Sequence, residues 1–225
     1  MLLKRIAAAL PGSWQFELKR IYYRLQIYRD IFSTPEPEYG ILASLVGPGQ
    51  WAIDIGANIG HYTKRLSDLV GSGGRIIAFE PVPETFALLA ANVQLFKYRN
   101  VTLINAAVSD KTSLGVIDIP YFQSGIKNYF EAHLTSIPEC QEGLEVMTLR
   151  VDSLEIPCRV VLCKIDVEGY EFPVLQGMSD LLKRDHPVLI VESGKKEVVE
   201  LLTNLGYSIE KLPESPNMLF RYFQK

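Results

Sequence analysis

A glycine-rich turn between two carboxylates is the first feature with the residue types that chemistry requires. The stretch WAIDIGANIGHYTKRL, residues 51–66, runs from an apolar segment through this turn into an amphipathic segment. Asp54 ends the apolar segment, and Gly56 and Gly60 allow a backbone to approach a ligand closely. About twenty residues further on, Glu80 ends a second apolar segment, where its carboxylate can accept both hydrogen bonds of a ribose diol. These features predict a site for a nucleotide cofactor.

The sequence of the turn distinguishes between cofactors. The dinucleotide fingerprint is G-x-G-x-x-G, whose middle glycine admits a pyrophosphate. Here the turn is GANIG, with Ala57 and Asn58 where that opening would be. An acidic residue just before the turn also suits a cationic ligand better than a pyrophosphate. S-adenosylmethionine carries an ammonium, a sulfonium and a ribose diol but no phosphate, so the charge pattern favours it.

A second charged group lies in CKIDVEGYE, residues 163–171. Strand alternation places Lys164, Asp166 and Glu168 on one side of the chain. A base beside an acceptor hydroxyl takes its proton as the oxygen attacks, and Asp166 or Glu168 is the first candidate. The alternative is structural: Lys164 pairs with one of these carboxylates, and Glu171 favourably begins a helix.

Two further possibilities involve a histidine base and a metal ion. His61 follows the turn and is expected to line the cofactor site. His133 lies in a loop-rich region and is a second candidate base, although a surface histidine is the commoner case. Asp166 and Glu192 end successive apolar segments and would offer oxygen ligands to Mg²⁺. Equally, Glu192 pairs with one of the lysines that follow it.

The elements that position these residues follow from the hydrophobic pattern. Near-continuous apolar segments alternate with amphipathic ones, which predicts an α/β fold with a parallel sheet covered on both faces. Strands are predicted at WAIDI, RIIAFE, VTLINAAV, VVLCKIDV and PVLIVES, and helices at 60–70, 83–98, 171–184 and 195–206. YSIEKL and NMLFRYF are separated only by PESPN, too short for a parallel crossover, so they are expected to pair antiparallel. Ligands of such sheets bind beyond the carboxyl ends of the strands.

Three parts of the chain are distinguished by their patterns. Residues 1–46 are predicted to be an N-terminal helical extension, and residues 47–225 the catalytic domain. Within that domain, residues 111–156 interrupt the alternation with strand-like segments and are predicted to be a β-rich insertion before the fourth strand. The helix at 14–32 carries an apolar stripe that is expected to pack on the catalytic domain. The stripe consists of Leu18, Ile21, Tyr22, Leu25, Tyr28 and Phe32.

Composition limits the class of protein. The chain has 225 residues, 48% of them hydrophobic, which is enough for a core. Cys140, Cys158 and Cys163 form no ligand-like motif, so a reducing cytoplasm is expected. No run approaches the ~18 apolar residues of a membrane span. Residues 1–30 carry about +4 and the rest about −7, so nucleic acid is not an expected partner. Peripheral attachment of the basic helix to an anionic membrane is a weaker alternative.

Four segments resemble a known family. DIGANIGHYT, IIAFEPVPETFALLAANV, NAAVSD and KIDVEGYEFPVLQG are similar to the FkbM family of S-adenosylmethionine-dependent methyltransferases, over roughly residues 37–223. The resemblance implies the Rossmann-like class I methyltransferase fold, a seven-stranded, mostly parallel sheet whose last strand is antiparallel. It also implies methyl transfer to a hydroxyl, commonly on a sugar, a glycan or a small natural product.

The resemblance also implies roles for individual residues. Glu80 would take the ribose, and Pro81 with Val82 would border the adenine. Ala107 stands about where many class I methyltransferases have an acidic residue for the adenine amino group, so that contact is expected from backbone alone. Those implied to hold the methionine end are Asp54, Gly56, Ala57, Asn58 and Gly60.

Two other functions compete with methyl transfer. An NAD(P)-dependent short-chain oxidoreductase needs Y-x-x-x-K on a helix, and the string from Tyr207 to Lys211 lies in a predicted strand, where it spans about 13 Å. A non-catalytic cofactor-binding module is disfavoured because it needs none of Asp54, Glu80 and Asp166. The chain lacks the [N/D]-P-P-[Y/F/W] tetrapeptide common in amino-group methyltransferases, which favours oxygen as the acceptor atom.

Overall fold

The structure is a computed structural model that describes residues 12–119, 133–135 and 143–223, without the side chains of Ser13 and of residues 133–135. Eleven strands lie in this part of the chain: β1 Trp51–Ile55, β2 Arg75–Phe79, β3 Val101–Ile104, β4 Ala107–Val108, β5 Ser113–Asp118, β6 His133–Thr135, β7 Leu144–Leu149, β8 Val160–Ile165, β9 Val188–Val191, β10 Tyr207–Lys211 and β11 Met218–Tyr222. The seven helices described are α1 Gly12–Tyr28, α2 Pro37–Leu45, α3 His61–Val70, α4 Pro83–Val93, α5 Glu171–Gln176, α6 Ser179–Asp185 and α7 Lys196–Asn204.

Seven strands form the main sheet, in the order β10-β11-β9-β8-β1-β2-β3. Strands β3, β2, β1, β8 and β9 pair in parallel, and β11 is antiparallel to both of its neighbours, β9 and β10. The predicted α/β fold, with a seven-stranded sheet and an antiparallel last strand, is therefore confirmed.

Alternation along each strand supplies both faces of the main sheet with apolar side chains. Ile53 and Cys163 contribute to the core beneath α5, α6 and α7. Ala52 and Leu162, their neighbours along the same strands, contribute to the core beneath α2 and α3. Because both faces are covered, the free edge at the carboxyl ends of the parallel strands is where polar side chains remain accessible.

A second, four-stranded sheet follows β3 in the chain, in the order β4-β7-β5-β6. The predicted strand VTLINAAV is wrong as one element, because β3 ends at Ile104 and β4 pairs with β7 instead of continuing the main sheet. The strand-like character of residues 111–156 agrees with β5, β6 and β7. Buried Ile117 on β5 packs with Ala107 and Val82, so this sheet reaches the chain segment that follows β2.

The packing predicted for the N-terminal helix is wrong for most of its stripe. Phe16, Tyr23 and Ile27 of α1 pack against α4, together with Phe32 beyond the end of α1. The other members of the stripe are exposed, namely Leu18, Ile21, Tyr22, Leu25 and Tyr28. The helix has apolar side chains on two opposite faces, and periodicity does not identify which face contacts the protein.

Candidate active site

A cavity of about 310 Å³ opens at the carboxyl edge of the main sheet, within the size range of small-molecule sites. Its walls come from the glycine turn after β1, the segment after β2, strands β4 and β5, and the segments after β8 and β9. The chain before α2 and the loop before β11 complete it. Of the predicted site residues, those that line it are Gly56, Ala57, Asn58, His61, Glu80, Pro81, Val82, Ala107, Asp166, Glu168 and Glu192.

The glycines of the turn are required by contacts within the protein. Gly56 has φ +79°, and a Cβ there would lie 1.8 Å from the carbonyl oxygen of Asp166. Gly60 has φ +99° as N-cap of α3, and a Cβ there would lie 2.7 Å from Cδ1 of Leu89 in α4. The absence of side chains thus brings the ends of β1 and β8 together and seats α4 against the turn.

Glu80 lies at the cavity wall with its carboxylate held by backbone amides. Oε2 accepts a hydrogen bond of 2.9 Å from Asn58 N, and Oε1 accepts one of 3.0 Å from Val82 N. Each carboxylate oxygen has a second lone pair that remains for a ligand. Burial raises the pKa of Glu80 to about 7, and the two amides only partly offset this. The side chain can therefore change its charge near neutral pH.

Asp54 lies beneath the turn and does not line the cavity. Its Oδ2 accepts a hydrogen bond of 2.5 Å from the Thr63 hydroxyl in the first turn of α3. Burial raises the pKa of Asp54 to about 6, while Thr63 and the Lys164 ammonium lower it. These contacts fix α3 to β1. Direct contact between Asp54 and a methionine end stays a prediction.

Buried Lys164 and partly exposed Asp166 form an ion pair at the end of β8. The Lys164 ammonium donates a hydrogen bond of 3.0 Å to Asp166 Oδ2 and lies 5.0 Å from the centre of the Tyr62 ring. Burial alone would raise the pKa of Asp166, but Lys164 and a hydrogen bond with Glu192 outweigh it and hold this pKa below its usual value. The hydrogen bond to Asp166, with burial, raises the pKa of Glu192 to about 9. The negative charge is therefore favoured on Asp166 and the shared proton on Glu192.

Lys164 is supported by a network from distant parts of the chain. Its ammonium also donates to Asn217 Oδ1 at 3.3 Å, in the loop before β11. Asn217 Nδ2 donates to Glu38 Oε1 in α2, and the Ser215 hydroxyl donates to Glu38 Oε2 at 2.7 Å. Glu38, Asn217 and Lys164 are all buried. The N-terminal region and the final hairpin together position the ammonium that faces Asp166.

The predicted magnesium ligands fall within a three-carboxylate group. Asp166, Glu168 and Glu192 each offer one oxygen, and these oxygens lie within 4.8 Å of one another. Oxygen ligands at this spacing suit Mg²⁺, although Lys164 already supplies positive charge to Asp166. Magnesium binding stays a prediction. The side chain of His133 lies outside the described residues, so its predicted role as a base is untested.

The segment after β2 is fixed by a residue that the sequence pattern did not single out. Asn105 Nδ2 donates to the carbonyl oxygens of Glu80 and Pro81, at 2.8 and 3.0 Å. Pro81 and Ala107 both line the cavity. The rings of His61 and Phe32 are in tilted contact, with centres 4.3 Å apart and planes at 49°, and burial lowers the pKa of His61. A neutral His61 suits a wall of the site.

Several cavity residues had no recognised signal in the sequence. Glu36, just before α2, accepts a hydrogen bond from the Tyr62 hydroxyl, but the segment STPEPE indicated only a break between helices. The remaining ones include Thr34, Tyr170, Pro216 and Asn217. They come from the N-terminal region, the N-cap of α5 and the loop of the final hairpin, so only the folded chain brings them together.

The fold and the location of the cavity together define the class of protein. The strand order, the antiparallel last strand and a cofactor-sized cavity at the carboxyl edge are those of the class I methyltransferase fold. The catalytic pair needed by the alternative oxidoreductase is absent from the described helices, since Tyr207 and Lys211 are the two ends of strand β10.

Comparisons with known proteins identify the family. Residues 54–209 match the family model of the methyltransferase FkbM domain, so the chain belongs to this family. The hexuronic acid methyltransferase AglP of Haloferax volcanii is 30% identical over 164 residues, which are 70% of this chain and 63% of AglP.

Two solved structures share the fold. Methyltransferase FkbM from Methylobacillus flagellatus superimposes with a TM-score of 0.55 at 16% identity, over 97% of this chain and 57% of that one. Fibrillarin from Aeropyrum pernix, crystallised with bound S-adenosylmethionine, gives 0.50 at 15% identity, over 82% and 73%. The chain thus spans less than two thirds of AglP and of the Methylobacillus protein.

Proposed function

We propose that this protein is an S-adenosylmethionine-dependent O-methyltransferase that acts on a hydroxyl of a sugar, a glycan or a small natural product. One observation carries the proposal: a single cavity contains Glu80, whose oxygens are oriented by backbone amides, and Asp166, which Lys164 keeps ionised. Glu80 is suited to accept hydrogen bonds from a ribose diol, and Asp166 is suited to act as a general base. Residues 1–46 are part of this proposal as an N-terminal helical extension that contributes to the site.

The cofactor assignment is supported by the charges around the turn. S-adenosylmethionine is cationic and lacks phosphate, and the cavity wall carries Glu80, Asp166 and Glu168. The A. pernix fibrillarin, which has the same fold, binds S-adenosylmethionine. When bound, this cofactor supplies a methyl carbon attached to a positively charged sulfur.

A hydroxyl acceptor is supported by the base and by a relative. Asp166 would accept the hydroxyl proton as the oxygen attacks, which is the usual work of a positioned carboxylate. Lys164 keeps Asp166 in the anionic form that can accept this proton. Glu36, Tyr170 and Asn217 offer hydrogen-bonding groups at the same cavity, as recognition of a polyhydroxyl compound requires. AglP, whose name specifies a hexuronic acid, supports a sugar.

Calorimetric titration with S-adenosylhomocysteine, with NAD as the parallel ligand, tests the cofactor. Saturable one-to-one binding of S-adenosylhomocysteine alone is expected. Binding of NAD alone would overturn the proposal. Incubation with labelled S-adenosylmethionine and a panel of uronic acid glycosides and neutral glycosides then tests the acceptor, with and without a chelator. Cofactor binding without label transfer to any glycoside would contradict the sugar assignment but not the cofactor.

A further inference from the structure

The outward face of α1 is apolar and exposed. Six side chains form it, and at the 100° rotation per residue of an α-helix they fall within an arc of about 120°. They are Trp14, Leu18, Ile21, Tyr22, Leu25 and Tyr28, and we call this set the α1 outer face. Trp14 is 64% exposed, Ile21 53% and Leu25 48%. Large apolar side chains this exposed and this contiguous mark an interaction surface.

Basic side chains accompany this face. Arg24 borders this face and contacts Tyr28, with its guanidinium carbon 5.4 Å from the ring centre. Arg20, which pairs with Glu17, lies by the same rotation on the side of α1 nearer Phe16 and Ile27. Lys19 and Arg29 add two further positive charges to the segment. Residues 12–30 carry four basic and two acidic side chains, about +2, whereas residues 31–225 carry about −7. Positive charge is thus concentrated where the apolar side chains are exposed.

We propose that the α1 outer face binds an anionic lipid surface, with α1 lying in the plane of the interface. Helices with apolar and aromatic residues on one face and Lys or Arg beside them bind in this way. Trp and Tyr suit the headgroup level because their rings are apolar with one polar atom. Within the described residues no helix could cross a membrane, and α1 has 17 residues.

Charge complementarity selects lipid over a second copy of the chain. Two α1 outer faces packed against each other would bring the same basic side chains into proximity, which is unfavourable. Anionic headgroups instead supply the opposite charge. Phe16, Tyr23 and Ile27 hold the opposite side of α1 on the protein, so the outer face can be occupied without unfolding the helix from the domain.

Vesicle flotation with the full chain tests this proposal. Vesicles of phosphatidylcholine alone are compared with vesicles containing phosphatidylglycerol, at low and high salt. Binding to the anionic vesicles, weakened by salt, is expected. The double variant Leu18→Ser/Leu25→Ser is expected to lose more than about tenfold in binding. Leu114→Ser, which alters a side chain that is 78% exposed outside α1, is the matched control and should bind normally.

A charge variant keeps the test decisive if the leucine variant folds poorly. Lys19→Gln/Arg24→Gln, which removes the basic side chains on the two flanks of the face, should weaken binding to anionic vesicles by several-fold and remove part of its salt dependence. Equal binding to neutral and anionic vesicles would overturn the proposal, as would no binding to either. Concentration-dependent dimerisation that Leu18→Ser/Leu25→Ser abolishes, without vesicle binding, would assign the face to a second copy instead. None of these readouts requires methyl transfer, so they are independent of the proposed function.

Discussion

Gly56 and the backbone carbonyl of Asp166 are in direct contact, so closely that a Cβ on Gly56 would lie 1.8 Å from that oxygen. Gly56 follows β1 and Asp166 follows β8, and the two strands are adjacent in the main sheet. Asp166 N completes the junction by donating to Ile55 O at 3.0 Å. The turn that borders the cofactor side of the cavity is therefore built against the residue proposed as the base.

Gly56→Ala is expected to damage both stability and the site. The added Cβ would clash with Asp166, and an alanine would also be strained at a positive φ. Together these costs should lower the unfolding free energy by roughly 2–5 kcal/mol. Gly49→Ala is the matched control, because Gly49 has the same φ of +79° and a Cβ added there would have no neighbour within 4 Å. It should lose only about 1 kcal/mol. Urea denaturation of both variants measures the difference, and equal losses would contradict the clash.

Glu80→Gln should weaken S-adenosylhomocysteine binding by about tenfold to a hundredfold. The amide has one acceptor oxygen where the carboxylate has two, so it cannot hold both backbone amides and a diol. Calorimetric titration measures the affinity. Glu84→Gln, four residues later on the exposed side of α4, is the control that should leave it unchanged. Unaltered affinity in Glu80→Gln would remove Glu80 from the cofactor site.

The stability of the unliganded protein should depend on pH through Glu80. Its pKa rises from an ordinary 4.5 to about 7 in the folded state. Stabilisation from the protonated form is therefore complete below about pH 4.5 and is lost as pH rises through about 7. The loss is on the order of 3 kcal/mol. Urea unfolding at pH 5 and pH 8 should show a smaller difference for Glu80→Gln than for the unaltered protein, and identical differences would contradict the shifted pKa.

Glu38 should stabilise the folded protein both through its hydrogen bonds and through its charge, and two variants separate these effects. Glu38→Leu leaves the buried Asn217 Nδ2 without its acceptor and removes the acceptor of the partly buried Ser215 hydroxyl, with an expected loss of roughly 3 kcal/mol in unfolding free energy. The side-chain amide of Glu38→Gln can still accept a hydrogen bond from Asn217 but has no charge. Its smaller loss of unfolding free energy therefore measures the contribution of a negative charge near Lys164. Thermal unfolding measures both. If both variants unfold like the unaltered protein, the network does not support Lys164.

Asp166→Asn should retain S-adenosylhomocysteine binding and lose about a hundredfold or more in turnover with an active acceptor. The amide keeps the shape of the side chain and a partner for Lys164 but cannot accept a proton. Glu168→Gln, in the same three-carboxylate group, is the comparison: a larger loss there would assign the base to Glu168. Turnover near normal in Asp166→Asn would exclude it as the base.

Much of the fold could be predicted because the relevant signals are local. Apolar runs separated by amphipathic ones define the order of strands and helices, and the short PESPN segment requires an antiparallel hairpin. The boundary between β3 and β4 was missed. Both strands are apolar, and only pairing with β7, more than thirty residues later, assigns Ala107 and Val108 to the second sheet.

The part of the site that lies at the ends of the strands could be predicted from the sequence. Glu80, Asp166 and the glycine turn meet because parallel strands bring their carboxyl ends to one edge, which follows from the order of elements. The steric reason for glycine at position 56 was not predictable, since the atom with which a Cβ would clash belongs to Asp166, 110 residues away. The contact of Asp54 with a ligand stays a prediction, and only the structure shows that Asp54 is buried and bonded to Thr63.

The sequence by itself determined the α/β class, the family resemblance and the carboxylates available for chemistry, because these depend on residue type and spacing. Only the tertiary structure decided which charges face one another: Glu38 reaches Lys164 through Asn217 across almost the whole chain. It also decided which face of α1 is buried. Both faces satisfy helical periodicity, and the choice between them depends on the shape of α4, which no local pattern encodes.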